Sequence, residues 1–288
     1  MIRKAVIPAA GLGTRLLPVT KELPKEMLPI FLKQNGEICL KPMLQAVFEQ
    51  LYDAGFREFA FIVGRGKRAI EDHFTIDESF VEYLKNNNKA RLADRLQDFY
   101  EKLSNSTIIF INQPKPKGFG DAVYKAKPFT GNESFLVHAG DDIILSSRNN
   151  HLRRLTRVFE DYGADAAFLV EEVEDPRRYG VIVGEEIKSG VFEVKEVFEK
   201  PQRPPSNLAI VAVYIFKPII YQAIEKTMLD ESGEIQLTDA ISVLLNWQCR
   251  IYALKLKNEE RRIDIGKPET YLEALKNFAL NFTPKRIF

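Results

Sequence analysis

Four short apolar runs, at residues 5–10, 59–64, 107–112 and 134–139, constrain this chain more than any other feature, because helical patterns separate the first three. Runs this short, bounded by turn residues, read as buried strands, and strands that alternate with helices lie parallel in an α/β sheet. Helix 42–54 is the clearest of the intervening segments. Pro42 suits a first turn, Met43, Val47, Leu51 and Ala54 form one apolar stripe, and Gly55 suits the stop. Residues 75–104 are highly charged, yet Phe80, Tyr83, Leu84, Leu92, Leu96, Phe99, Tyr100 and Leu103 recur at helical intervals, which predicts a helical excursion with a solvated face. After residue 164 the strand candidates AAFLVEEV, VIVGEE, FEVKEVFEK, NLAIVAVYIFK and RIYALKL follow one another through short turns, so antiparallel strands are added to a sheet that begins parallel. TYLEALKNFALNF near the end predicts a short amphipathic helix.

Composition removes several functional classes. A formal net charge of +1 argues against a nucleic-acid binder that works by neutralising phosphates along its surface, and leaves room for a local cationic pocket. Cys39 and Cys249 lie far apart without paired spacing, so the expectation is two buried thiols and neither a zinc cluster nor a disulfide. The three histidines are unclustered, and His138 in its apolar stretch reads as a core residue before it reads as a metal ligand. No run approaches membrane-spanning length, and glycine and proline come too early for a signal sequence, which predicts a cytoplasmic protein without membrane partners.

The first apolar run enters Pro8-Ala9-Ala10-Gly11-Leu12-Gly13, small residues where backbone can approach a ligand and turn N–H groups toward it. Arg15 then offers a planar fork for phosphate oxygens and Lys25 a mobile point charge. Two other phosphate motifs fail. A dinucleotide fingerprint needs glycine at position 16, which is Leu16, and the required acid is missing about twenty residues on. Gly66-Lys67 is followed by Arg68 where a P-loop needs Ser or Thr, and Phe61 stands where it needs glycine.

Further along, His138-Ala139-Gly140-Asp141-Asp142 places two acids at a strand end, where open α/β sheets bind ligands. Acids there suit magnesium completed by substrate phosphates, but Gly-Asp-Asp is equally good turn chemistry, and the string alone leaves both readings open. Ile263-Asp264-Ile265-Gly266 again sets an aspartate ahead of a glycine. Gln113, with Gly118 and Gly120 beyond it, could pair an amide with the edge of a pyrimidine, although read alone it belongs to an ordinary strand-to-helix loop. Glu199 and Lys200 fall on opposite faces of a flat strand, so a bulge or bend beside Pro201 is required for both to reach one pocket; the bland alternative is a solvated salt bridge.

Arg15, Pro18, Thr20, Pro24, Lys25 and Pro29 stand at the places seen in the sugar-nucleotide pyrophosphorylases, and the chain resembles that family over nearly its whole length. PKEMLP at 24–29, PSNLAIV at 205–211, GEIQLTDAI at 233–241 and the charged excursion after HFTIDESF are similar to its bacterial and archaeal UTP:glucose-1-phosphate uridylyltransferase branch. The resemblance implies a Rossmann-like nucleotidyltransferase fold of the α/β class, with a mixed, mostly parallel central sheet flanked by helices and carrying antiparallel additions. It implies a single domain over 1–288, with a nucleotide-binding half at 1–145 that includes the excursion 75–104, a sugar-binding half at 146–263 and a C-terminal helical segment at 264–288. The implied reaction joins UTP and glucose 1-phosphate into UDP-glucose and pyrophosphate with Mg2+, without a covalent enzyme intermediate. By position the resemblance makes Arg15 and Lys25 catalytic and Asp141 and Asp264 metal ligands. Ala9, Ala10, Gly11 and Gly13 then contact substrate, Gln113 and Gly118 the base, Gly180 and Glu199 the sugar, and Lys200 its phosphate. A homodimer or homotetramer follows by analogy.

Three departures stand out: KQNGEIC before Lys41-Pro42 lengthens a loop on the nucleotide side, Ala212 replaces a usual glycine, and His138 a usual aliphatic residue. Within the class the alternative is a thymidylyltransferase or dual UTP/dTTP enzyme, since thymine shares the edge Gln113 would read. A metal-dependent glycosyltransferase also uses strand-end acids but releases no pyrophosphate. A non-catalytic nucleotide sensor is opposed by intact Arg15, Lys25, Asp141, Glu199, Lys200 and Asp264.

Overall fold

The structure, a computed structural model, describes residues 2–34, 37–227, 229 and 233–281. Asn35 and Gly36 of the KQNGEIC insertion and residues 282–288 of the expected C-terminal segment lie outside the described residues. The chain runs through β1 (Lys4–Pro8), β2 (Pro29–Gln34), β3 (Glu37–Pro42), α1 (Met43–Asp53), β4 (Glu58–Val63), α2 (Arg68–His73), α3 (Glu78–Asn86), α4 (Ala90–Ser104) and β5 (Thr107–Asn112). It continues through α5 (Gly118–Lys125), α6 (Lys127–Thr130), β6 (Phe135–His138), β7 (Asp142–Leu145), α7 (Asn150–Asp161), β8 (Ala166–Glu172), β9 (Gly180–Lys188), β10 (Val191–Glu199) and β11 (Leu208–Phe216). Last come α8 (Ile219–Lys226), α9 (Leu237–Asn246), β12 (Ile251–Lys255), β13 (Arg261–Asp264) and α10 (Pro268–Asn281).

The four apolar runs become neighbours in a nine-stranded sheet of order β5-β4-β1-β6-β11-β8-β12-β10-β9. The pairs β5–β4, β4–β1 and β1–β6 are parallel, as the alternation with helices requires. Beyond β6 the strands expected after residue 164 join mainly antiparallel, with β8–β12 the one further parallel pair among them. The inner positions of β1 and β4 are apolar on both sides because both sheet faces are covered there. Ala5 and Ile7 of β1, and Phe59 and Phe61 of β4, enter one hydrophobic core, while Val6, Ala60 and Ile62 between them enter the core on the opposite face.

Helix α1 lies on the first of these faces, where Phe48 meets the rings of Phe59, Phe74 and Phe99 at centroid distances of 4.8, 5.5 and 6.1 Å. Phe99 and Leu103 thus tie the excursion into the main core, and Val81, Leu84 and Ala93 form a small cluster of its own. The insertion read as a loop is instead the end of a hairpin, with Lys33 opposite Ile38 and Gln34 opposite Glu37. Arg91 and Arg95 of α4 hold Glu37 by ion pairs. Cys39 is a buried thiol as expected, but Cys249 is only partly buried.

All three histidines are core or near-core residues. Burial depresses the pKa of His138 to about 4 and of His151 to about 3, and lowers that of His73, which stacks on Phe99 with centroids 5.3 Å apart. An unfolded chain binds these protons near pH 6.5, whereas the fold refuses two of them until about pH 4 or below, so the unfolded state takes up more protons as pH falls. The two deeply buried histidines are therefore expected to remove stability between pH 6.5 and 4.5, by up to about 1.4 kcal/mol per pH unit each, with Asp142, whose carboxyl burial pushes up to about 7, offsetting about one of them. Urea midpoints measured across that range check this, and a flat profile would contradict it.

Candidate active site

The carboxyl ends of β1, β5 and β6 open onto a cleft of about 420 Å³. Of the residues expected to act, Ala10, Gly11, Gly13, Arg15, Lys25, Gln113, Gly118 and Asp141 line it. Ala9 does not, since it is buried behind the wall with its N–H on Ile62 O at 2.8 Å. Gly13 takes φ +66°, the left-handed conformation that lets the turn reverse into the 3-10 turn carrying Arg15. Thr20 secures that turn by donating its hydroxyl to Gly13 O at 2.7 Å.

At one end of the cleft Lys25 Nζ lies 2.5 Å from Asp141 Oδ2. Burial by itself would lower the Lys25 pKa, but the Asp141 and Glu26 carboxylates outweigh it and hold the amine above its ordinary value. Burial would likewise raise Asp141, and Lys25 with Arg15 keeps it below the usual carboxylate range. Asp264, at the end of β13, is not among the residues lining the cleft, but its Oδ1 accepts at 2.7 Å from the N–H of Gly266, which does line it. A Cβ on Gly266 would stand 2.9 Å from Asp264 Oδ1, 3.5 Å from Arg15 Nη2 and 3.7 Å from Asp141 Oδ2, so two carboxylates and a guanidinium converge where glycine leaves space.

Asp142, the second acid of the pair, stands opposite Asp264 across β7 and β13 but takes a different partner. Its Oδ2 accepts from Arg262 Nε at 2.6 Å, Arg262 also reaches Glu171 at 2.7 Å, and burial pushes the Asp142 carboxyl up to about 7. Sequence reading passed over Arg262, whose position two residues before Asp264 on β13 puts it on the same strand face. It also passed over Glu26, which is buried in the cleft wall and paired with Lys67 Nζ at 2.7 Å. Lys67 is the lysine of the rejected P-loop string, and its partner could not be read from a spacing of 41 residues.

At the other end Gln113 is held by its own N–H on Val63 O at 2.7 Å, and its side chain donates to Asp121 Oδ2 at 2.7 Å and to Gly118 O at 3.2 Å. Gly118 has φ +91°, and a Cβ there would meet Ile235 O at 2.8 Å and Glu234 Cβ at 2.9 Å. Residues 234–235 of the GEIQLTDAI string therefore clamp the loop at Gly118 through Gly120 N–H on Ile235 O at 2.9 Å and Ile235 N–H on Lys117 O at 2.8 Å. Gly118→Ala combines a forced φ with a backbone clash, each costing about 1 kcal/mol or more, and is expected to raise the KM for UTP about 10-fold with less effect on kcat. Steady-state kinetics with UTP varied checks this; an unchanged KM would contradict it.

Gly180, Glu199 and Lys200 form a separate group that does not line the cleft. Gly180 and Glu199 are opposite one another across β9 and β10, and a Gly180 Cβ would stand 3.0 Å from Thr238 Oγ1 and 3.3 Å from Glu199 Oε2. Thr238, also from the GEIQLTDAI string, donates to Glu199 Oε2 at 2.7 Å, so one segment touches both groups. The expected bend is at Lys200 itself, whose φ of +41° turns its ammonium back to Glu199 Oε1 at 2.9 Å; the register shifts of β10 lie further up the strand. Ala212 lies where the β11–β8 register shifts and is absent from the cleft wall, and His138 is buried with Nδ1 2.8 Å from Ala139 O.

A glycine-walled cleft at parallel strand ends, with an amide at one end and paired cations and carboxylates at the other, defines a nucleotidyltransferase. Residues 4–280 match the family model described as Nucleotidyl transferase. The chain is 39% identical to UTP--glucose-1-phosphate uridylyltransferase of Staphylococcus epidermidis over 97% of its own length and 93% of the relative's. It is 36% identical to the Pseudomonas aeruginosa enzyme of that name, covering 95% of both chains. Among solved structures it resembles UDP-glucose pyrophosphorylase complexed with UDP-glucose, at 34% identity and TM-score 0.83 over 98% of this chain and 100% of that one. It also resembles UTP-bound UGPase from Acinetobacter baumannii, at 30% identity and TM-score 0.84 over 99% of this chain and 95% of that one. The chain belongs to the nucleotidyl transferase family, in its UTP--glucose-1-phosphate uridylyltransferase branch.

Proposed function

We propose that the chain transfers a uridylyl group from UTP to glucose 1-phosphate, giving UDP-glucose and pyrophosphate. The observation that carries this reading is the convergence of Arg15, Asp141 and Asp264 around Gly266, with Lys25 held on Asp141, beside a cleft that Gln113 also lines. A phosphate oxygen of glucose 1-phosphate attacks the α-phosphorus of UTP, the P–O bond to the β-phosphate breaks, and pyrophosphate leaves. Since the second pKa of a phosphate monoester is about 6, the attacking group is already ionised at neutral pH and needs neither a strong base nor a protein nucleophile. The protein's task is to position and to neutralise charge.

Arg15 holds the leaving pyrophosphate, Lys25 meets charge on the α-phosphate, and Lys200 orients the attacking phosphate while Glu199 and the backbone of Gly180 take the sugar hydroxyls. Asp141 and Asp264 fit a divalent cation, for which magnesium is the natural choice. They offer hard oxygen donors around a space that a single methyl would fill, and two carboxylates suffice when phosphates and water complete the shell. Among the described residues no group of three or more His, Cys, Asp and Glu is arranged for a metal, in keeping with a cation shared with the substrate. Bound there, the cation would neutralise phosphate oxygens and polarise the α-phosphorus.

We read residues 1–288 as one catalytic unit in which the two halves share the work. Among the described residues no helix is long and apolar enough to cross a membrane. The reading places the protein in the cytoplasm with its soluble substrates, as a homodimer or homotetramer. Magnesium-dependent pyrophosphate release with glucose 1-phosphate and UTP, with dTTP, ATP, GTP and CTP in parallel and a no-sugar control, tests it. UTP preference with UDP-glucose formed is the expected result. Preference for dTTP, or no release with any nucleotide, would overturn it.

A further inference from the structure

We propose that Asp121 is a specificity-determining residue that makes Gln113 accept, and never donate, toward the nucleobase, so that pyrimidines carrying a ring N3–H are taken and cytosine is refused. The inference deepens the reading of the cleft as a uridine site and rests on it.

Gln113 is only 5% exposed and Asp121 only 6%, so water does not compete for their contact. A side-chain amide has two N–H donors and one carbonyl acceptor. Here Nε2 lies 2.7 Å from Asp121 Oδ2 and 3.2 Å from Gly118 O, which uses both donors on the protein and leaves Oε1 as the only polar atom the side chain can offer the cleft it lines. Amide orientation is ordinarily ambiguous, but a carboxylate accepts and does not donate, and this fixes it. Rotated by half a turn, the Gln113 oxygen would face the Asp121 oxygen across the same 2.7 Å. Asp121 is itself held in place. It lies in the first turn of α5, where the helix dipole favours negative charge, and Lys125 Nζ stands 3.6 Å from its other oxygen, one turn further on. Gln113 and Asp121 are thus placed by different elements, the end of β5 and the start of α5.

An acceptor fixed in this way matches the N3–H of uracil or thymine. In cytosine N3 is itself an acceptor, so the same oxygen would oppose a lone pair. Asp121 does not touch the base in this account; it selects through Gln113. A site built around one hydrogen-bond polarity discriminates strongly, because the wrong base leaves buried polar groups unpaired.

The near-isosteric Asp121→Asn separates this role from mere support. An asparagine can donate or accept, so it tolerates either orientation of the Gln113 amide. The UTP/CTP ratio of kcat/KM is expected to fall at least 10-fold, mainly because CTP improves, while kcat/KM for UTP changes less than about 5-fold and the UTP/dTTP ratio stays put. A parallel loss with all three nucleotides, or an unchanged UTP/CTP ratio, overturns the proposal. Gln113→Ala, run beside it, separates the two levels. If that variant keeps the wild-type UTP/CTP ratio, Gln113 does not read the base and the reading beneath the proposal fails. If it loses the ratio while Asp121→Asn keeps it, only the assignment to Asp121 fails. Thermal melting of both variants establishes that each is folded at the assay temperature.

Discussion

Lys25→Ala is expected to slow turnover by about 10²- to 10³-fold while changing the KM for UTP only a few-fold, because in the role proposed for it the ammonium acts on charge that develops in the transition state and not on the base. The geometry gives it little freedom to do anything else. Its Nζ is 2.5 Å from Asp141, its Cε lies 3.5 Å from where a Gly11 Cβ would stand, and Glu26 beside it in the chain is fixed by Lys67 at 2.7 Å. A side chain already desolvated and aimed loses little further freedom when phosphate arrives, which is the source of its catalytic value. Lys25→Arg provides the control. It keeps the charge but spreads it over a planar fork in a slot walled by glycine, so most of the loss should remain. Single-turnover rates at saturating UTP check both, and wild-type rates in Lys25→Ala would remove Lys25 from the mechanism.

Asp141→Asn is expected to cost at least as much, about 10³-fold in kcat, since one substitution removes the proposed cation ligand and the anchor of Lys25. The adjacent acid supplies the contrast. Asp142 stands opposite Asp264 but is bonded to Arg262 at 2.6 Å, so Asp142→Asn is expected to leave the proposed metal requirement intact and act through stability instead. Binding of Mn2+ followed by electron paramagnetic resonance without nucleotide separates the pair independently of turnover. Asp141→Asn should weaken it strongly and Asp142→Asn only slightly. Equal weakening by both would show that the acids work as one cluster and would sink the division of roles.

The sheet was legible from sequence for a physical reason. Past their first residues β1 and β4 are buried on both faces, so those positions had to be apolar, and the helices between them had to present a stripe at helical spacing. The hairpin formed by β2 and β3 was not legible. Its exposed Ile38 and Leu40 alternate with buried Cys39 and Lys41, and lysine at an inward position hides the pattern; there Lys41 is neutralised by Glu49 at 2.5 Å. The register of β10 with β9 escaped as well, because its shifts depend on the partner strand.

At the site the sequence by itself determined which residues carry charge, amide or missing Cβ, and, through resemblance, which positions to watch: Arg15, Lys25, Gln113, Asp141, Glu199, Lys200 and Asp264. Those properties belong to a residue and its immediate neighbours along the chain. Tertiary structure alone decided partnership. It set Lys25 on Asp141 across 116 positions, bonded Asp142 to Arg262 across 120, joined Glu26 to Lys67 across 41 and tied Thr238 to Glu199 across 39. Even Asp121, only eight residues from Gln113, became its partner because the left-handed Gly118 turns the chain back at the start of α5. Electrostatic and hydrogen-bond energies depend on distance and desolvation in space, and neither is written in separation along the chain.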